Sequence, residues 1–298
     1  MDVIPTLVGY VLFALAVVHA VVDGRDNRTQ RLFMIVTLLV FGTLLEYMGV
    51  SSGSYQYPRE KLINLGPVPL SVSLAWVGLI YSLMIIGERL RLPWWSRILA
   101  TTLIALSLDW GMDPVAVHIG AWTWSRPGAY FGVPLFNFVG WFFIPIAYLL
   151  AYGLSWDRER RRPTLLTIAE IDHDPGFGKW GRLIYTILLV VPVSLILLIF
   201  TAGKIGGLGI MTDTPVAVFV VCAVCTVLAA SGVVIRRREN LGHTRKIDLV
   251  PPTILVVISI NYTFFGLITG RPSLGLLMFC AAIPLWLVFA FSVRKGNG

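Results

Sequence analysis

Residues 68–88 read VPLSVSLAWVGLIYSLMIIGE, a run of apolar and small side chains with one charge, Glu88, at its very end. About 20 consecutive residues of this kind match the ~30 Å hydrocarbon core of a bilayer, so the stretch predicts a transmembrane helix. Working outward, comparable runs fall at about 3–22, 31–50, 96–113, 130–154, 180–201, 215–235, 250–269 and 272–293. The expected fold is therefore all-α: a polytopic membrane bundle of about nine helices, forming a single transmembrane domain over residues 1–298. Only Gly270 and Arg271 separate the last two runs, so a re-entrant hairpin there would reduce the count to eight. Asp113-Pro114 is expected to end the fourth helix, because the residue before a proline resists the helical region.

Composition agrees. Hydrophobic residues make up 56% and charged residues 13%, against about 25% charged in soluble chains. The net charge of +8 does not point to nucleic acid, since the basic residues sit in short loops and form no basic module. They speak to orientation instead. Arg25/Arg28/Arg31, Arg89/Arg91/Arg97, the group from Arg158 to Arg182, the group from Arg236 to Lys246, and Arg294/Lys295 fall in alternate loops and hold nineteen of the 24 Lys and Arg residues. Arg59, Lys61, Arg126, Lys204 and Arg271 lie on the other side. The bias predicts a multi-pass protein of the cell membrane with its N-terminus outside and its C-terminus in the cytoplasm. No cleavable leader is expected, because no basic stretch precedes the first apolar run. Cys222, Cys225 and Cys280 read as small apolar core residues, and His173 between two aspartates as solvated loop sequence. His19 is expected to face a helix interface.

The stretch 42–141 carries a repeat. From Glu46 the chain runs to Gly53, Tyr55 and Tyr57, then to Pro69-Leu70 and Trp76. From Asp113 it runs to Gly120, Trp122 and Trp124, then to Pro134-Leu135 and Trp141. Acid-to-glycine spacing is the same in both, as is the distance from the proline to the tryptophan. Helices two and three are thus expected to duplicate helices four and five (repeat units about 42–88 and 109–154), in parallel about an axis along the membrane normal. Such a repeat would bring Glu46 and Asp113 face to face near the outer ends of helices two and four.

Glu46, Asp109 and Asp113 are the acids that fall inside spans. A charge at the centre of a span costs ~2.5–3.5 kcal/mol, and such residues mark function by default. Asp109 and Asp113 lie one turn apart on one helix face. The same outer layer holds Tyr55, Tyr57, Asn64, Trp76, Trp122, Trp124, Tyr130, Asn137 and Trp141, read as a substrate pocket. An aromatic belt at the headgroups explains tryptophans and tyrosines in general. It does not explain acids within spans, nor aromatics that keep one spacing in both copies. His118 reads as a loop or interface residue, and Asn261-Tyr262 as an interhelical hydrogen-bonding pair.

Glu46-Tyr-Met-Gly-Val-Ser-Ser-Gly-Ser-Tyr-Gln-Tyr57, Leu65-Gly-Pro-Val-Pro-Leu70, Gly120-Ala-Trp-Thr-Trp124 and Tyr130-Phe-Gly-Val-Pro-Leu-Phe-Asn-Phe-Val-Gly-Trp141 resemble the membrane carotenoid-biosynthesis family that contains the CruF-type carotenoid hydratases. The resemblance is strongest over about 40–155. It implies addition of water to the terminal C=C of an acyclic carotenoid end group, giving a tertiary alcohol, with no metal and no organic cofactor. Residue roles follow from position: Asp113 as the acid, Asp109 or Glu46 as the group that orients water and takes its proton, and the aromatic residues around the cation. An end-group cyclase begins with the same protonation but excludes water. A proton-coupled transporter of a small lipophile would also use membrane acids, although no polar trail leads inward through helices two to five. A passive carotenoid-binding protein would not need three in-span carboxyls.

Overall fold

The computed structural model describes residues 3–23, 28–58, 62–156, 179–206, 215–242 and 245–294. They are mostly helical. The helices are α1 (Val3–Asp23), α2 (Arg28–Ser51), α3 (Leu70–Arg89), α4 (Trp94–His118), α5 (Leu135–Trp156), α6 (Lys179–Gly206), α7 (Val216–Arg236), α8 (Val250–Ile268), α9 (Pro272–Ala281) and α10 (Ile283–Val293). Four two-residue strands sit in the connections: β1 (Tyr55–Gln56), β2 (Asn64–Leu65), β3 (Val68–Pro69) and β4 (Thr123–Trp124). Strand β1 pairs with β4 and β2 with β3, both antiparallel.

Among the described residues, six helices are long and apolar enough to cross a membrane, and a seventh span is made if α9 and α10 count as one. That compares with the nine expected; α1 and α6 contribute shorter apolar stretches, Leu7–Asp23 and Ile187–Ile199. The last expected span, 272–293, is broken, with α9 and α10 meeting at 54°. Pro284 accounts for the break, since it lacks an N–H and its ring would clash with the carbonyl four residues earlier. Span five begins at Leu135 and not at 130. Residues 128–133 instead fold back on themselves, with bridges from Gly128 to Gly132 and from Tyr130 to Val133.

The fourth helix also departs from expectation, for it runs through Pro114 to His118. Proline removes one donor and frees the carbonyl four residues before it. Here that carbonyl belongs to Trp110, and the Tyr130 hydroxyl donates to it at 3.1 Å. The lost bond is replaced from outside the helix, so α4 does not stop.

The centre of the bundle is α3 and α4, whose apolar windows are 78% and 89% buried, against 33% for α7. Helix α4 packs on α3, α5, α7, α8 and α9. Polar groups on α4 are consequently interior groups. The cysteines are not: Cys222, Cys225 and Cys280 lie exposed among the described residues, on faces of α7 and α9 turned away from α4 and the core.

At the far end from the α2 and α4 C-termini, polar side chains tie four segments together. His19 is buried with Nδ1 2.7 Å from the Tyr81 hydroxyl. Arg31 reaches Asp23 at 3.1 Å and Glu88 at 3.5 Å. Arg245 pairs with both Asp23 and Asp248, and Arg89 donates to the backbone carbonyls of Leu241 and Asp248. The arginine run at 158–162 and the His173 fragment lie outside the described residues.

Candidate functional site

Glu46 sits in the last turns of α2, 5% exposed. Two glycines on its own helix make room for its partners. Gly42, one turn earlier, lets α3 approach so closely that an added Cβ would stand 3.0 Å from the Trp76 Cβ. Gly49, three residues later, lies under the Tyr55 ring, and an added Cβ would run into the Tyr55 hydroxyl. The result is a carboxyl group with three donors. Tyr55 and Tyr57 donate to Oε2 at 2.7 and 2.6 Å, and the Trp76 indole N–H donates to Oε1 at 2.6 Å. These lengths suit donors to a charged acceptor. Burial first, and then the neighbouring Glu46 charge, push both tyrosine hydroxyls well above their ordinary range. Both therefore stay protonated and remain donors at working pH.

Gly49→Ala tests this packing. Overfilling a tight contact costs ~1–3 kcal/mol, and here the added Cβ meets both the hydroxyl that bonds Glu46 and the edge of the Tyr55 ring. A lowered midpoint of thermal unfolding in detergent is expected. An unchanged midpoint would mean that the Tyr55 ring moves aside without cost.

Asp109 and Asp113 form the second centre, 0% and 2% exposed on the interior face of α4. Asn137, in the first turn of α5, bridges them: its Nδ2 donates to Asp109 Oδ2 at 2.9 Å and to Asp113 Oδ2 at 2.7 Å. The two carboxyls also lie within hydrogen-bonding reach of one another. Asp109 Oδ1 is buried and finds no donor among the described residues. Helix α8 packs on α4, and its Tyr262 lies against the same core.

Aromatic rings fill the space around these acids. Trp76 stacks on Trp141 with centroids 4.7 Å apart and planes at 24°. Tyr55 meets Tyr57 edge-on at 5.6 Å. Tyr55 also meets Trp124 at 5.0 Å, and Tyr57 meets Trp122 at 6.2 Å. The β1–β4 pairing sets these contacts, with Tyr55 opposite Trp124 and Gln56 opposite Thr123. Each strand follows a turn closed by a glycine at positive φ, Gly53 at 73° and Gly120 at 71°.

Most residues expected in the pocket are thus brought together: Glu46 with Tyr55, Tyr57 and Trp76, the two aspartates with Asn137, and Trp141, Trp122 and Trp124 against the first group. Asn137 holds the acids themselves. Tyr130 turns to the α4 backbone and stacks on Phe219 at 5.5 Å. Asn64 lies in β2 with its backbone paired to Pro69, which leads into α3 and Trp76. His118, as expected of an interface residue, has Nε2 3.2 Å from the Thr269 carbonyl. Sequence reasoning did not include Tyr262, Gly42 and Gly49 in the site. Glycines one turn before and three residues after an in-span acid were the available signal for two of them. Nothing in the sequence sets Tyr262 against the core that holds α4.

A family profile described as carotenoid biosynthesis protein matches residues 6–201. A curated relative, the bisanhydrobacterioruberin hydratase of Haloarcula japonica, is 27% identical over 168 residues. That match covers 52% of this chain and 56% of the relative, so the similarity spans little more than half of either protein. No solved structure matches the chain.

Proposed function

We propose that this chain, which belongs to the carotenoid biosynthesis protein family, is a carotenoid hydratase adding water to the terminal C=C of an acyclic end group. The observation that carries the reading is the buried Asp109–Asp113 pair, bridged by Asn137 and set against an aromatic wall. The hydratase relative supports the same reaction class.

Hydration of a trisubstituted alkene needs a proton donor, a stabilised tertiary cation and a placed water. Two carboxyls in contact can share one proton, and that proton supplies the donor that Asp109 Oδ1 otherwise lacks. Asp113 gives the proton to the less substituted alkene carbon. The π pair forms the new C–H bond and leaves a tertiary cation beside the aromatic rings. Asp109 orients a water, whose oxygen forms the C–O bond, and takes the proton that this oxygen sheds. The pair ends with one proton, as it began, and the net change is addition of one water. Asp109 fills the base role better than Glu46, which already accepts three hydrogen bonds.

An extended carotenoid is comparable in length with the hydrocarbon core, so its end group would reach this cluster from the lipid. The Lys/Arg bias supports placing the site at the outer face of the cell membrane, with nine crossings and a cytoplasmic C-terminus. The duplicated-hairpin reading draws support from the strand register. If Tyr55 matches Trp122 and Tyr57 matches Trp124, then Tyr55 against Trp124 and Tyr57 against Trp122 are one contact made twice about a two-fold axis.

Co-expression with a lycopene pathway, or with one that makes bisanhydrobacterioruberin, followed by mass analysis of the pigments, tests the proposal. A gain of one or two waters is expected. An unchanged mass with a shifted absorption spectrum would assign an end-group cyclase, and unchanged pigment in both hosts would overturn the reading.

A further inference from the structure

We infer that Glu46 acts through aromatic rings: it is the counter-charge behind a cation-stabilising wall of Trp76, Tyr55 and Tyr57, and does not handle water. The inference rests on the hydratase reading and assigns this acid a role apart from the aspartates.

Each donor to Glu46 is a heteroatom conjugated with a ring, two phenol oxygens and an indole nitrogen. Serine, asparagine or arginine would satisfy a carboxylate equally well without involving a π system. When a phenol or indole donates to an anion, electron density shifts into its ring. The ring face then becomes more negative, and that face is what attracts a cation. The charge of Glu46 is thereby carried to the faces of three rings.

The wall stands where the cation would form. Trp76 stacks on Trp141, and Trp141 lies one helical turn after Asn137, the residue that bridges the two aspartates. Asn137 and Trp141 are separated by about 6 Å along the α5 axis. Keeping the carboxylate behind the rings also matters chemically. Beyond the aspartates, which must reach the alkene and the water, a further carboxylate touching the cation would add a group able to trap it as an ester or to remove an adjacent proton. Behind aromatic rings it stabilises the cation and leaves water to add.

The test uses the full chain in liposomes with a carotenoid that the wild type hydrates, and compares Glu46→Gln, Trp76→Phe and the double variant. Phenylalanine keeps a ring at position 76 but removes the N–H. Each single change is expected to lower kcat by about tenfold or more, with KM within about threefold. The double variant should be no slower than Glu46→Gln alone, because both changes break one link. If Glu46→Gln does not fold, Tyr57→Phe and Trp76→Phe are read singly, each expected to lower kcat with KM within about threefold. The inference is overturned if Trp76→Phe keeps the wild-type kcat, if the two losses multiply, or if only KM moves. A wild type that hydrates no carotenoid removes the hydratase reading itself, a result read before any variant is made.

Discussion

Asp113→Asn is expected to slow carotenoid hydration by at least about 100-fold while leaving the protein folded and no less resistant to heat. General acid–base groups contribute ~10²–10⁴-fold, and asparagine keeps the shape of the side chain while losing the transferable proton. Neighbouring geometry tolerates the change. Asn137 still has Asp109 Oδ2 to donate to, and the new amide can turn its N–H groups toward the Asp109 carboxyl. The pair holds one charge between its two carboxyls, and an amide at 113 keeps that charge and still offers Asp109 a donor, so no buried group loses its partner. Loss of activity at equal or higher stability is the mark of a residue held in place for chemistry. Turnover in liposomes and thermal unfolding in detergent read the two quantities separately. Asp109→Asn should show the same pattern, since it removes the group that takes the proton from water. Hydration within threefold of wild type in Asp113→Asn would sink the assignment. A large fall in unfolding temperature would instead make the pair a structural device.

How much of this was legible in the chain depends on the distance over which each feature is decided. The membrane helices are local, written in runs such as 68–88, and were read to within a few residues. Helix α4 was misread at Pro114 because the group that rescues it, the Tyr130 hydroxyl, comes from a different segment. A rule about neighbours along the chain cannot anticipate a donor sixteen residues further on. The bend in the last expected span was missed for a related reason. Hydropathy counts 272–293 as one length, whereas Pro284 bends it. The cysteines show the limit of composition: an apolar segment does not reveal which of its faces meets protein and which meets lipid.

The site was more legible than the fold details, because charges in an apolar stretch stand out against their surroundings. Glu46, Asp109 and Asp113 could be picked out singly, and the matched spacing tied the aromatics to them. What spacing could not supply was the partition of roles. Asn137, expected to touch substrate, also joins two acids; Trp76, expected to line the pocket, also donates to Glu46. Those assignments depend on which atoms point at which, a property of α2 against α3 and of α4 against α5. Tyr262 belongs to a third contact, α4 against α8, and no local pattern announces it.

Asn137→Leu should cost stability and activity together, which distinguishes it from the aspartate variants. Leucine has nearly the same size, so packing is largely kept while the only described donor to both Oδ2 atoms is lost. A hydrogen bond to a charged group contributes ~1.5–3 kcal/mol, and a buried acceptor left without a donor costs ~1–3 kcal/mol or more. With two acceptors affected, a loss of about 3 kcal/mol is expected from unfolding measurements in detergent. Turnover should fall by about 100-fold, since even a 1 Å displacement of a reacting group has that effect. A control separates holding the pair from general packing. In an Asp109→Asn background one of the two acceptors is no longer a carboxyl, so Asn137→Leu should cost markedly less there than in the wild type. An equal penalty in both backgrounds would mean that Asn137 supports the α4–α5 contact by bulk alone. Wild-type stability and turnover in Asn137→Leu would show that the aspartates hold their arrangement without a bridge.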